Sequence, residues 1–145
     1  MKNDAKRVLV VEDDPSLREL LLEELEEFEP PALQPTAVQS AEDARSRLDA
    51  DDFALVVSDL RLPGADGFDL LRYACHALDE PPAFIMITAF GTVARAVDAL
   101  RSGASDFLTI AVPGHAEFGL ASVSSVREIR TRSTRSPSMS TTSKR

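Results

Sequence analysis

Residues 53–59 read Phe-Ala-Leu-Val-Val-Ser-Asp, and this stretch decides the fold. A short apolar run rich in valine is typical of a strand that is buried on both faces of a parallel sheet, and Asp59 stands where this strand ends. Residues 7–11 (Arg-Val-Leu-Val-Val) form a second run of the same kind, and acidic residues follow it at 12–14. Because functional groups collect at the carboxyl ends of parallel strands, the two runs together predict an α/β sheet with an acidic edge.

Strand-like and helix-like segments alternate around these two runs. Three more strands are predicted, at 32–38, 83–88 and 106–110, and four helices, at 15–28, 41–49, 68–78 and 92–102. Pro35 cannot donate a ladder hydrogen bond, so its strand belongs at an edge of the sheet. Helices between successive strands imply right-handed crossovers and helical cover on both faces. The predicted fold class is α/β, with a doubly wound five-stranded parallel sheet.

Charge divides the chain into an acidic body and a basic tail. The 145 residues carry a net charge of -8, but residues 1–109 hold 10 Lys and Arg against 22 Asp and Glu, whereas residues 110–145 hold 6 against 2. An acidic body argues against direct nucleic-acid binding by this domain. The single cysteine excludes an internal disulfide and favours a reducing, cytoplasmic setting. No apolar run approaches the length of a membrane span, and no signal peptide is evident.

The character of the sequence changes after residue 110. Apolar residues continue through 111–130 without a clean helical stripe, and residues 131–145 hold nine Ser and Thr and four Lys and Arg. Such a composition buries too little apolar surface to offset the entropy of ordering the chain. Three parts are therefore predicted: a domain at 1–110, an atypical segment at 111–130 and a disordered tail at 131–145.

Polar groups follow three of the predicted strands. Glu12 and Asp13 come after the first, Asp59 ends the third and Thr88 ends the fourth. Clustered carboxylates are tolerated mainly beside a hard cation, and Mg²⁺ prefers oxygen ligands. An aspartate carboxylate can also attack phosphorus and form an aspartyl-phosphate. Asp14, which precedes a proline, is either part of this cluster or the N-cap of the following helix.

Four segments together carry a resemblance to a known family. Residues 8–16 (Val-Leu-Val-Val-Glu-Asp-Asp-Pro-Ser), 56–67 (Val-Val-Ser-Asp-Leu-Arg-Leu-Pro-Gly-Ala-Asp-Gly), 85–91 (Ile-Met-Ile-Thr-Ala-Phe-Gly) and 99–108 (Ala-Leu-Arg-Ser-Gly-Ala-Ser-Asp-Phe-Leu) stand in the family's order and spacing. They resemble receiver domains of two-component response regulators, in particular those of nitrogen-regulation-type transcriptional regulators. The resemblance covers about residues 5–109 and implies the flavodoxin-like (βα)5 fold, with the last helix atypical or missing.

The resemblance also implies roles for individual residues. Asp59 would be the phosphoacceptor, and Glu12, Asp13, Asp59 and the backbone carbonyl of Arg61 would bind Mg²⁺.

Two more positions, Thr88 and Phe107, would form the family's switch. The Thr88 hydroxyl would contact the phosphoryl group, and Phe107 would be the aromatic switch residue. The partner would be a sensor histidine kinase, and the chain would be a cytoplasmic phosphorelay module of transcription regulation rather than an enzyme, at most catalysing its own phosphorylation and dephosphorylation. A homodimer would use the face formed by the fourth helix, fifth strand and fifth helix, and no membrane partner is implied.

The sequence departs from the family at residue 110. Such receivers continue with Lys-Pro-Phe, but this chain has Ile110 and Ala111. Isoleucine cannot supply the ammonium that pairs with the phosphoacceptor and then with the phosphoryl group. Because the match stops after Thr109, we expect a truncated or frame-shifted receiver, and the encoding DNA would test this.

Two other functions compete with a phosphate-accepting receiver. One is a degenerate receiver that binds partners without productive switching. The other is a Mg²⁺-dependent phosphohydrolase with Asp59 as nucleophile, which would need a general acid two residues later. Arg61 stands at that position and disfavours the hydrolase.

Overall fold

Five strands and four helices alternate in the computed structural model, which describes residues 6–26, 33–88 and 92–109. Their bounds, in chain order, are β1 Lys6–Val11, α1 Pro15–Glu26, β2 Leu33–Val38, α2 Ala41–Ala50, β3 Leu55–Asp59, α3 Gly67–His76, β4 Ala83–Thr88, α4 Val93–Arg101 and β5 Asp106–Thr109. Each predicted strand and helix of residues 6–109 is present. Ile110, the predicted segment 111–130 and the predicted tail 131–145 lie outside the described residues.

The strands form one parallel sheet in the order β2-β1-β3-β4-β5. This is the flavodoxin-like doubly wound sheet, so the predicted fold class is confirmed. Strand β2 lies at an edge, which accommodates Pro35 as expected. The strand order reverses between β1 and β3, and crevices that bind ligands open at such switch points, outside the carboxyl ends of the strands.

Alternating side chains of the strands enter two separate cores. Helix α1 packs Leu17, Leu21 and Leu25 over one face of the sheet, with Val8 and Val10 beneath them. The other face is covered by α2, α3 and α4 and is built on a second set of strand residues, Leu9, Val11, Val56, Phe84 and Met86. Because both faces are buried, the central strands are nearly continuous apolar runs, which is the pattern that residues 53–59 showed.

Side-chain caps begin α2 and α3. Ser40 accepts a hydrogen bond from the backbone N–H of Asp43 at 3.2 Å and starts α2. Asp66 and Asp69 form a reciprocal capping box at the start of α3. These caps stop α2 and α3 from unwinding beside the loop that follows Asp59.

No helix among residues 6–26, 33–88 and 92–109 is long and apolar enough to cross a membrane.

Gly67 brings the start of α3 against the end of β3. Its backbone N–H donates to the carbonyl oxygen of Leu60 at 3.0 Å. A Cβ at this position would lie 2.4 Å from the carbonyl oxygen of Asp59 and 2.9 Å from Sδ of Met86. Only glycine permits α3 to approach the backbone of Asp59 this closely.

Replacing Gly67 with alanine is expected to destabilise the fold by about 1–3 kcal/mol, because the added methyl group must displace backbone at the end of β3. Urea unfolding followed by circular dichroism measures this change. Arg72→Ala, on the exposed side of the same helix, is the control and should change the free energy of unfolding by less than about 0.5 kcal/mol. A Gly67→Ala protein as stable as wild type would contradict the steric argument.

Candidate functional site

Three carboxylates meet at the carboxyl ends of β1 and β3. Val11 pairs with Ser58 in the register of these two strands, so Glu12 and Asp59 emerge at the same level. One carboxylate oxygen from each of Glu12, Asp13 and Asp59 lies within 4.8 Å of the other two. The acidic edge that the two apolar runs predicted is therefore a compact cluster.

Glu12 is the buried member of the cluster, with 1% of its surface exposed. Its Oε1 accepts a hydrogen bond from the backbone N–H of Asp14 at 3.0 Å. Its Oε2 has no hydrogen-bond partner among the described residues. Burial, and after it the charge of Asp59, raises the pKa of Glu12 from 4.5 to about 9. A buried carboxylate with a free oxygen is costly unless a cation satisfies it.

Asp59 is the half-buried member of the cluster. Its Oδ1 accepts a hydrogen bond from the backbone N–H of Arg61 at 3.1 Å. Burial also raises the pKa of Asp59, and the charge of Asp13 acts in the same direction. Arg61 itself is exposed, and the contact that reaches Asp59 comes from its amide. The role of its carbonyl as a metal ligand stays a prediction.

Thr88 and Phe107 lie on β4 and β5, which follow β3 in the sheet on the side away from β1. Thr88 is the last residue of β4 and is buried. It lies one residue beyond Ile87, which pairs with Asp59, so its position is at the same edge of the sheet. Phe107 pairs with Met86 and packs against the core under α2, α3 and α4. Strand alternation puts Thr88 and Phe107 on that same face.

Asp14 is a helix cap, which decides between the two roles that its sequence allowed. Its Oδ1 accepts a hydrogen bond from the backbone N–H of Ser16 at 2.9 Å, and its carbonyl accepts the first helical bond from Arg18 at 2.9 Å. These are the contacts of an N-cap, and Asp14 does not belong to the three-carboxylate cluster.

Arg18 was not singled out by the sequence reasoning. Its guanidinium Nη1 donates to the backbone carbonyl of Glu12 at 3.1 Å, across the turn that carries the first two acidic residues. A cation in the first turn of a helix was the available signal, because helix N-termini disfavour positive charge.

The cluster suits a hard divalent cation. Ionised carboxylates within 4.8 Å repel one another. In addition, Oε2 of Glu12 has no hydrogen-bond partner among the described residues, so a cation could coordinate it. Mg²⁺ takes one or two carboxylates together with waters and phosphate oxygens, and three carboxylates at an open sheet edge fit that requirement. The same edge leaves Asp59 accessible for attack on a phosphoryl group.

Comparison with known proteins agrees with this geometry. Residues 8–112 match the response regulator receiver domain family. The chain belongs to this family. It is a receiver domain of the two-component response regulators, which are phosphorylated on aspartate, and it is a signalling domain rather than a classical enzyme. The resemblance inferred from the sequence motifs is confirmed, and nothing in the comparisons favours the degenerate-receiver alternative.

The similar proteins include regulators of transcription. The chain is 44% identical over 108 residues to the response regulator protein FleR of Pseudomonas aeruginosa, a match covering 72% of this chain and 21% of FleR. It is 41% identical over 114 residues to the C4-dicarboxylate transport transcriptional regulatory protein DctD of the same organism, covering 76% of this chain and 23% of DctD. The chain thus spans about a fifth of the length of these relatives.

A solved receiver domain has the same fold. The signal receiver domain of a putative Luxo repressor protein from Vibrio parahaemolyticus superimposes with a TM-score of 0.71 at 29% identity, covering 88% of this chain and 86% of that one. Receiver domains bind Mg²⁺ at an acidic pocket and are phosphorylated by histidine kinases, and this receiver has an acidic cluster at the corresponding edge of its sheet.

The raised pKa of Glu12 predicts how stability depends on pH. Between about 4.5 and about 9 the folded state holds the proton more tightly than the unfolded state does. The free energy of unfolding of the metal-free protein should therefore fall as pH rises through this range, by at most about 1.4 kcal/mol per pH unit for one group. Mg²⁺ should reduce the slope, because it binds the ionised carboxylates.

Urea unfolding at several pH values, with EDTA and with MgCl₂, measures this slope. Glu12→Gln keeps the shape of the side chain and removes its titration, so its metal-free slope should be shallower than that of wild type. Equal slopes in the two proteins would show that Glu12 does not titrate in this range.

Proposed function

We propose that Asp59 accepts a phosphoryl group from a sensor histidine kinase, and that Glu12 and Asp13 hold the Mg²⁺ that supports the transfer. The observation that carries this proposal is the placement of one oxygen from each of the three carboxylates within 4.8 Å at the strand-order reversal of the sheet. The family's chemistry at such a pocket supports the same assignment.

Burial divides the roles among the three carboxylates. Glu12 is too buried to reach a phosphodonor, and Asp13 is exposed at the rim. Asp59 is intermediate in burial, and its Oδ1 accepts a hydrogen bond from the amide of Arg61. That hydrogen bond orients the carboxylate so that Oδ2 can face a donor. The carbonyl of Arg61 is proposed as a further metal ligand.

The transfer itself forms one bond and breaks one. A carboxylate oxygen of Asp59 attacks phosphorus, an O–P bond forms, and the N–P bond to the kinase histidine breaks, leaving its electron pair on the imidazole nitrogen. The bound cation would offset charge on the transferred oxygens. Attack of water on phosphorus later releases inorganic phosphate and restores Asp59, which is the self-dephosphorylation expected of this domain.

Thr88 and Phe107 are proposed to convert phosphorylation into a change of surface. The Thr88 hydroxyl, at the end of β4, would hydrogen-bond a phosphoryl oxygen. Movement of Thr88 toward Asp59 would open space on the face that it shares with Phe107. The aromatic ring is only partly buried there, so it can shift without opening the core.

The proposed activity also implies a cellular location and an output. A histidine kinase uses ATP, so the cytoplasm is the proposed location. By similarity to DctD, the output is regulation of transcription. The strong negative charge of residues 1–109 argues that this domain does not itself bind nucleic acid.

Phosphorylation of Asp59 is expected when the protein is incubated with acetyl phosphate and MgCl₂. Intact-mass spectrometry should show the gain of one phosphoryl group in wild type, suppressed by EDTA and absent in Asp59→Asn. Asp98→Asn, an exposed site on α4, is the matched control and should gain the group normally. A wild-type protein that gains nothing would refute the proposal and favour the degenerate receiver.

Helix α4 carries apolar side chains on its surface. Val93 is 83% exposed, Leu100 49% and Val97 38%. Exposed aliphatic groups grouped on one short helix are typical of a contact surface. Together with β5 and a fifth helix, they would form the proposed homodimer interface. Residues 111–130, where that helix would lie in the sequence, are outside the described residues.

Dimerisation through this face predicts that phosphorylated wild type sediments as a dimer and the double variant Val93→Glu/Val97→Glu as a monomer. Sedimentation velocity with and without acetyl phosphate makes the measurement. Gln34→Glu adds negative charge on β2, at the opposite edge of the sheet, and should leave the dimer intact. Dimers that persist in the double variant would exclude this face.

A further inference from the structure

Arg18 stands where helix electrostatics disfavour a positive charge. Its backbone N–H donates to Asp14, so it belongs to the first turn of α1, where the helix dipole is positive. Helices α2 and α3 carry acidic residues in their first turns, whereas α1 and α4 carry none. Acidic groups precede α1 instead: Asp14 caps it, and Glu12 and Asp13 come before the cap.

Arg18 contacts the backbone of Glu12. Nη1 of Arg18 donates to the Glu12 carbonyl oxygen at 3.1 Å, and this bond joins residues six apart. It closes the turn between β1 and α1 from the side of the helix. The other bonds of Glu12 run elsewhere: its N–H donates to Val38 at 3.1 Å and its Oε1 accepts from Asp14. Among residues 6–26, 33–88 and 92–109, the side chain that hydrogen-bonds the peptide between Glu12 and Asp13 is that of Arg18.

The guanidinium reaches the carbonyl without occupying a carboxylate. Within the part of the chain that the structure describes, the ion pairs are Arg7–Asp51 and Arg72–Asp69, and Arg18 forms none. A cation paired with Glu12, Asp13 or Asp59 would compete with a metal ion for their oxygens. Arg18 instead fixes the turn and leaves those oxygens available.

We propose that Arg18 is a positioning residue for the metal site, holding the Glu12–Asp13 peptide so that both carboxylates face the cation. This inference rests on the proposed Mg²⁺ site. Carboxylates within 4.8 Å repel one another, so a loose turn would relax and separate them. In the metal-free protein, the charge-assisted hydrogen bond from Arg18 keeps the turn between β1 and α1 closed.

Positioning and simple electrostatics predict opposite effects for loss of Arg18. Removing a positive charge near three carboxylates strengthens the attraction for Mg²⁺. Releasing the turn weakens binding, because the carboxylates must then be brought together at the time of binding. Weaker binding in a variant without the guanidinium is therefore a signature that loss of charge cannot produce.

The test is Mg²⁺ titration by calorimetry on the full chain, comparing wild type, Arg18→Met, Arg18→Lys and Arg47→Ala. Arg18→Met keeps the aliphatic stem and removes the donors, and it should weaken Mg²⁺ binding about 10-fold or more. Arg18→Lys retains one directed donor and should recover part of the affinity. Arg47→Ala removes an exposed arginine from α2 and should bind as wild type or slightly more tightly.

Two further measurements separate positioning from folding. Helix α1 is anchored by Leu17, Leu21 and Leu25, so metal-free Arg18→Met should melt close to wild type. At saturating Mg²⁺ its phosphorylation by acetyl phosphate should approach the wild-type rate, because the loss is in affinity.

Wild-type affinity in Arg18→Met overturns the inference while leaving the proposed function intact, and so does an equal loss in Arg47→Ala. If Arg18→Met melts well below wild type, the comparison is made with Arg18→Lys instead. A Mg²⁺ affinity of Arg18→Lys no higher than that of Arg18→Met then overturns the inference. Absence of Mg²⁺ binding in wild type refutes the proposed function itself.

Discussion

The rest of this receiver holds Glu12, Asp13 and Asp59 together although their ionised carboxylates repel one another. Three carboxylates whose oxygens approach within 4.8 Å would separate in a flexible chain. Here Glu12 follows the end of β1 and Asp59 ends β3, and these adjacent strands cannot move apart without breaking the sheet. An oxygen of buried Glu12 has no hydrogen-bond partner among the described residues, and a cation bound at the cluster would satisfy it.

Each of the two cores positions a different part of this site. The three leucines of α1 fix the helix that follows Asp13, and the caps of α2 and α3 fix the loops on the opposite face. Because residue 67 is glycine, the start of α3 packs directly against the carbonyl group of Asp59 at the end of β3. Stability and chemistry are thus connected through backbone positions as well as through the acidic side chains. The raised pKa values of Glu12 and Asp59 show the resulting cost in a metal-free protein.

Much of the fold was predictable because its signals are local. Valine-rich runs identify buried parallel strands, Pro35 assigns β2 to an edge, and Ser40 marks the start of α2. The acidic cluster was predictable for a related reason, since parallel strands bring their carboxyl ends to one edge. Asp14 was undecided from sequence because a carboxylate before a proline suits a cap and a cluster equally well. Only its hydrogen bonds to Ser16 and Arg18 distinguish the two roles.

The sequence by itself determined the class of fold, the acidic types at the strand ends and the family to which residues 8–112 belong. It also predicted, from the resemblance, that Ile110 takes the place of a lysine. The tertiary structure decided which acidic group is buried, which is accessible, and that the guanidinium of Arg18 holds a carbonyl rather than a carboxylate. The reason is physical: periodicity and turn signals act over a few residues, whereas burial and the direction of a long side chain depend on elements that only folding brings together.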